Sequence, residues 1–302
     1  MEQRFNIKNP YWYEDLPDRE TEIQKLEEIV PLREDLNEVN DKFLEISRAS
    51  SLLRGGLVFI ASAVLVVTIY YLPGLAIHSF DSAVPRFLTF IFWVSVISLY
   101  GFGFFAIWLD CHIPRDLPVR FYRQVGKVVI YDYSLSLNPF ARRRVVVKTY
   151  DWNTIQAELS KQAGYNGKAY MIRYGLVLVI CKPGTNEVIE RITLKGNNIT
   201  TRDLQAMWAY IRCYMGEGRE KLPIENPRPK EINLRRSFFT YMPYFDPSEE
   251  GSEYRSRMGA FDVLFAFVMM WFFWIWLPIG LCHYIAMKCA PEPEWPSDIS
   301  RL

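Results

Sequence analysis

The residue types that carry chemistry are scarce in this chain of 302 residues. There are three histidines, His78, His112 and His283, and five cysteines, Cys111, Cys181, Cys213, Cys282 and Cys289, none in C-x-x-C spacing. That cysteine content is too small and scattered for a disulfide scaffold. The pairs Cys111-His112 and Cys282-His283 look alike, yet adjacent ligands lack the spacing of a zinc site, and the topology read below places the two histidines on opposite membrane faces. No H-E-x-x-H, G-x-S-x-G, Walker loop or G-x-G-x-x-G occurs, and cysteine catalysis lacks a partner base. The sequence thus reads as having no catalytic, cofactor-binding or metal-binding residues. Two groups suit contact instead. Arg142, Arg143, Arg144 and Lys148 form a basic cluster at a strand start, fit for anionic head groups or a partner, or else a solvated hairpin tip; each charge near an anionic membrane adds about 1 kcal/mol. Met269, Met270, Trp271, Phe272 and Phe273 form an aromatic, methionine-bearing face suited to packing within the membrane.

The elements that position these groups follow from the distribution of apolar residues. Half of the chain is hydrophobic, its mean hydropathy is −0.03 and its net charge is +1. A charge so near zero argues against a nucleic-acid binder. The polar, acidic N-terminus is not a signal peptide. A bilayer core of about 30 Å needs about 20 apolar residues in a helix, and three stretches reach that length: 57–77, 87–109 and 260–287. The first two, joined by the short link HSFDSAVPR, make a helical hairpin over 57–109, and a third span is expected over 260–288. Pro73 and Pro278 are positions for kinks. Asp262 sits about three residues inside the third span, near enough to its edge to reach interfacial water, with Arg255 or Arg257 as a pairing candidate. Three spans without an internal repeat disfavour a transporter.

Arg48 and Arg54 precede the first span, Arg115, Arg120, Arg123 and Lys127 follow the second, and Arg255 and Arg257 precede the third, against Arg86 and Lys288 on the other side. The bias places the N-terminal segment and the central domain in the cytoplasm, with the tail 289–302 external.

Residues 1–56 carry 13 acidic and 8 basic residues and show a helical apolar stripe through Ile23, Leu26, Ile29, Val30, Leu36, Val39, Phe43, Leu44 and Ile46, which Pro31 should interrupt. Residues 110–258 hold 24 basic and 16 acidic residues. Within 110–225, Val/Ile/Tyr-rich runs at 119–133, 142–152, 169–182 and 187–195 read as strands. A helix with Leu204, Met207, Trp208, Ile211 and Tyr214 on one face follows, ended by Gly216 and Gly218. The expected class is an α+β membrane protein: three transmembrane helices and a β-rich domain closed by a C-terminal helix, by analogy like a pleckstrin-homology barrel. Residues 226–259 read as an irregular linker.

Three segments carry a family resemblance: LPVRFYRQVGKVVIYDY at 117–133, VVVKTYDW at 145–152 and LQAMWAYIRCYMGEGREKLP at 204–223. In the last, Trp208, Tyr210, Ile211, Arg212, Met215, Glu217 and Gly218 fit the pattern W-x-Y-I-R-x-x-M-x-E-G. Over about residues 55–225 the chain resembles the DUF6708 group of bacterial membrane proteins. The resemblance implies a place beside type VI secretion effectors. It therefore implies an inner-membrane immunity protein that neutralises a cognate toxin by binding it, with the membrane as the favoured site of neutralisation. It implies no catalytic residues. The other reading is a membrane-anchored scaffold or anionic-lipid adaptor. The expected partners are the toxin and the lipid bilayer, and the third span can pack within one chain or between two copies.

Overall fold

Leu44 stands opposite Phe121 in one antiparallel strand pair, although the first apolar hairpin separates them in sequence. The chain on both sides of the hairpin therefore builds a single sheet. The computed structural model describes residues 3–19, 29–49, 54–80, 85–134, 144–165, 170–256, 258–297 and 299. It divides into two compact units: residues 1–52, 116–230 and 293–302 form one, and 53–115 with 231–292 form the other.

The first unit contains β1 (Trp12–Asp15), β2 (Leu36–Val39), β3 (Phe43–Ile46), β4 (Val119–Tyr122), β5 (Lys127–Ser134), β6 (Arg144–Asp151), β7 (Ile155–Tyr165), β8 (Tyr170–Cys181) and β9 (Val188–Asn198). They form two antiparallel sheets, ordered β1-β7-β8-β9 and β2-β3-β4-β5-β6. Alternate residues of both sheets point into one core: Leu44, Ile46, Phe121 and Ile130 from one, Ala157, Leu159, Leu176 and Leu178 from the other. Helix α3 (Arg202–Gly216) closes that core with the face the apolar spacing indicates, and Leu204, Met207, Trp208, Ile211 and Tyr214 are all buried. Two of its polar groups reach backbone carbonyls of the N-terminal segment. The Trp208 indole donates to the Pro17 carbonyl at 2.8 Å and the Tyr214 hydroxyl to that of Asn40 at 2.8 Å.

Three sequence expectations change here. Residues 36–46, read as part of a helical stripe, are the hairpin β2–β3, and 12–15 is a strand; Ile23 and Leu26 lie outside the described residues. The Asn40 side chain accepts from the backbone amides of Lys42 and Phe43 at 2.9 Å each, a local turn that diverts a short apolar pattern from helix to hairpin. β7 escaped notice because Gln, Ala, Glu and Lys dominate it, residues that favour helices in isolation. Its Glu158 is wholly buried, held by Asn9 Nδ2 at 2.7 Å and Arg191 Nε at 2.9 Å. Finally, the linker 226–259 contains two short helices, α4 (Leu234–Phe239) and α5 (Glu249–Ser256).

The second unit holds α1 (Gly56–Ser79) and α2 (Arg86–His112), each long and apolar enough to cross a membrane. The third apolar stretch is not one straight helix. It is α6 (Ala260–Met270) and α7 (Phe273–Cys289), bent by 88° across Trp271–Phe272, well before Pro278. The tail expected apart from the β domain folds onto it: Arg120 lies 4.4 Å from the Trp295 ring centre, and the Trp295 indole donates to Glu45 Oε2 at 3.2 Å.

Two predictions follow from this packing. Leu44→Ala, in a fully buried β3 position, should cost about 2–5 kcal/mol in chemical unfolding of the full chain; a cost near zero would mean that 36–46 does not form the core strand. The second concerns Glu190 of β9, paired with Lys148 and accepting from the Tyr150 hydroxyl at 2.5 Å. Burial raises this carboxyl, but the hydrogen bonds from Lys148 and Tyr150 and the charge of Lys148 outweigh it and hold the pKa below its ordinary value of 4.5. A depressed carboxyl contributes stability above its ordinary pKa and loses it as pH falls through the folded value. The stability gap between the native chain and Glu190→Gln should therefore shrink as pH is lowered from about 7 to about 3. A gap independent of pH would refute the assignment.

Candidate functional site

The second unit is organised around a set of helix ends. The amides that open an apolar helix have no partners within it and must find them elsewhere. At the start of α1 that partner is Asp110, from the last turn of α2. It is 3% exposed, and its Oδ2 accepts from Gly55 N at 2.9 Å and Val58 N at 3.4 Å. A carboxylate at that position also meets the positive end of the helix dipole. Arg54 is buried beside it and donates to the Asp110 carbonyl at 3.0 Å and to that of Pro114.

The end of α7 meets the same group. Arg115 Nε donates to the Met287 and Ala290 carbonyls at 2.8 and 2.9 Å, a cation on the carbonyl end of a helix. The Arg115 amide donates to the Pro291 carbonyl at 2.9 Å. Gly55, at φ +78°, leaves no room for a side chain, since a Cβ there would stand 2.5 Å from the His283 backbone of α7. Gly280 admits α4 in the same way, with the Phe238 Cα 2.7 Å from where its Cβ would lie. The Tyr241 hydroxyl donates to the Arg54 carbonyl at 2.6 Å, and its ring meets His283 edge-on at 5.8 Å. The start of α1, the end of α2 and the end of α7 thus converge, and His283 belongs with them rather than on an opposite face.

The sequence-selected contact residues are dispersed. Arg142 and Arg143 lie outside the described residues, and Arg144 opens β6. Lys148 faces Glu190 in an ion pair. Met269 and Met270 end α6, Trp271 and Phe272 form the break, and Phe273 starts α7. Those five residues are therefore the apex of a bend, with Trp271 71% exposed. Asp262 caps its own helix by accepting from Gly259 N at 2.9 Å, while Arg255 donates to the Tyr244 and Asp246 carbonyls at 3.2 and 2.5 Å. Arg257 lies outside the described residues. Among the described residues, no three metal-ligating side chains come together.

In the first unit the juxtamembrane arginines also have structural partners. Arg48 is buried, donating to the Leu117 and Tyr131 carbonyls at 2.5 and 2.6 Å while its amide meets Asp116 Oδ1 at 2.9 Å. Burial lowers its pKa, opposed by Asp132 and Asp116. Arg120 lies between the rings of Phe43 and Trp295, 4.4 Å from each centre, and reaches Glu45 Oε2 at 2.5 Å. Sequence reasoning used these arginines as markers of orientation and passed over Asp110 and Trp295. A lone acid just beyond an uncharged span and a tryptophan in a Pro/Glu-rich tail were the available signals.

One exposed feature of this unit is the far end of the β7–β8 ribbon. These strands pair as far as Tyr165–Tyr170, whereas β1 registers with β7 no further than Ser160 and β9 with β8 no further than Tyr174. The ribbon therefore projects past its sheet neighbours. It carries Tyr165 and Tyr170, 70% and 65% exposed, beside exposed Met171. Tyr and Met are enriched in protein interfaces, Tyr because it buries much area at modest entropic cost and Met because it adapts its shape to a partner.

No curated protein and no solved structure matches the chain. A family model does, and it reaches beyond the segments that suggested the resemblance, leaving out α1 but taking in the bent helix pair and the tail. The chain belongs to DUF6708, a family of unknown function, whose model matches residues 96–302.

Proposed function

We propose that this protein is a membrane-anchored binding protein without catalysis, and that its partner is a toxic effector delivered by a type VI secretion system, which it neutralises as an immunity protein. The observation that carries the binding role is the projecting ribbon with exposed Tyr165, Tyr170 and Met171 on a β unit tethered by the α1–α2 hairpin. A two-stranded projection with aromatic tips offers backbone edges and large side chains to a protein ligand. The hairpin restricts encounters to the membrane surface, which raises the effective concentration against a target that acts there.

In this reading the protein resides in the inner membrane of a bacterium with its β unit in the cytoplasm, in keeping with the bias of Arg48, Arg54, Arg115, Arg120 and Arg123. The two sheets closed by α3 would then serve as a pleckstrin-homology-like recognition module. The pairing of Lys148 with Glu190 removes one charge from the basic cluster and shifts weight from lipid contact to protein contact.

Deletion of the gene in a strain that produces the effector should lower survival beside attacking siblings by at least about tenfold, and the native gene should restore it. Tyr165→Ala combined with Tyr170→Ala should abolish restoration at an unchanged membrane level, since aromatic anchors that become buried on binding contribute about 2 kcal/mol or more each. Unchanged survival on deletion would overturn the immunity role. Full protection by the double variant would overturn the ribbon as its contact.

A further inference from the structure

We infer that the third apolar segment does not cross the membrane: α6 and α7 form a re-entrant wedge that enters and leaves one leaflet at the face where α1 begins and α2 ends. Its ligand is the acyl-chain layer of that leaflet. This inference is independent of the partner protein.

Three observations carry it. The exit of the wedge is held at that face, since Arg115, just past α2, binds the Met287, Ala290 and Pro291 carbonyls at the end of α7, and Gly55 packs on His283. The approach to the wedge is held there too. Tyr241 binds the Arg54 carbonyl, and α4 lies against Gly280 of α7. The local cluster of Asp246, Arg235 and Arg255 keeps α5 close to that same stretch, with Arg235 3.5 Å from Asp246 and Arg255 2.5 Å from the Asp246 carbonyl.

The second observation is length. At 1.5 Å per residue α6 and α7 measure about 16 and about 25 Å, against a hydrocarbon core of about 30 Å. Bent by 88° with both arms inclined equally, such a pair reaches a depth of about 11–18 Å, near the middle of the bilayer and short of the far side. The apex at that depth is Met270-Trp271-Phe272-Phe273-Trp274, all exposed within the protein and apolar or aromatic, so lipid tails are the surroundings that fit them.

The third is the tail. Residues 293–302 belong to the β unit, where Trp295 meets Arg120, Glu45 and Tyr131. A span ending at Cys289 on the far face would leave only a few extended residues, about 3.5 Å each, to bring Trp295 back through the bilayer. The charge pattern agrees. Lys288 now falls on the basic face with Arg54 and Arg115, leaving Arg86 as the cation beside the hairpin tip.

The test uses the full chain in sealed membrane vesicles, with epitope tags placed before Met1, after Leu302 and between Ser82 and Ala83. Protease added outside should remove or spare the first two tags together and treat the third oppositely. The Leu302 tag behaving like the hairpin tag would overturn the inference. The untagged chain supplies a second measurement, because Cys111 in the last turn of α2 and Cys289 at the end of α7 lie at the helix ends that Arg115 joins. A short bis-maleimide should join them, shifting gel mobility in the native chain but not in Cys111→Ser or Cys289→Ser. No shift in the native chain means that the end of α7 is elsewhere. Depth is read with a fluorophore at Trp271→Cys in a chain that also carries Cys111→Ser and Cys289→Ser, the other cysteines being buried, and quenchers at mid-acyl depth should dim it at least about twofold more than head-group quenchers. The reverse order would place the apex outside the leaflet and refute the wedge.

Discussion

The contact on which the second unit depends is Asp110 beneath the first turn of α1. Buried amides at a helix start have no water to satisfy them, and leaving one unpaired costs about 1–3 kcal/mol. A carboxylate carried by the neighbouring helix satisfies two of them and couples the return point of the hairpin to its departure point. Arg54 and Arg115 extend the same solution to carbonyls, the first at Asp110 and Pro114, the second at the end of α7. One acid and two guanidiniums therefore organise the ends of three helices. Such buried groups are costly to desolvate, and their hydrogen bonds to several backbone atoms offset that cost.

The β unit uses related chemistry for a different purpose. Glu158 with Arg191 and Asn9 ties β7 to β9 and to the N-terminal segment, and Glu190 with Lys148 and Tyr150 ties β9 to β6 in the other sheet. Glu45 with Arg120 receives the tail through Trp295. The apolar core supplies most of the stability, being non-directional and proportional to buried area. Glu158 and Glu45 are buried, so a slip of one residue in their strands would leave a buried charge without its partner.

What the sequence revealed follows from how far each signal extends along the chain. The uncharged runs that become α1 and α2, the Val/Ile-rich strands β4, β5, β6, β8 and β9, and the apolar face of α3 are continuous patterns that run through most of the elements they encode. β2, β3 and β7 were hidden because their environment is supplied from elsewhere. β3 becomes a strand by pairing with β4 across the hairpin, and β7 buries a glutamate whose partners are Asn9 and Arg191. The bend at Trp271–Phe272 leaves no mark in hydropathy, since an apolar run has the same average whether straight or broken. The projecting tyrosines, too, appear in sequence only as strand residues, because projection is a property of neighbouring strands that stop early.

The register of β3 against β4 carries a topological consequence of its own. Phe43 pairs with Tyr122 and Ile46 with Val119, so strands that flank the hairpin lie side by side in one sheet. Paired strands are about 5 Å apart, far less than the bilayer thickness, so the chain must return to the face from which it departed. A one-span reading of residues 54–112 would separate the two strands by the whole hydrocarbon core. The same reasoning orders folding. β1, β2 and β3 are made before the hairpin, yet their sheet partners β7 and β4 follow it, so the sheets cannot close until the hairpin has gone out and come back. Closing that long loop carries the entropic cost of distant contacts. The Asp110 contact, by fixing the ends of α1 and α2 next to each other, shortens the loop that the β3–β4 pairing closes.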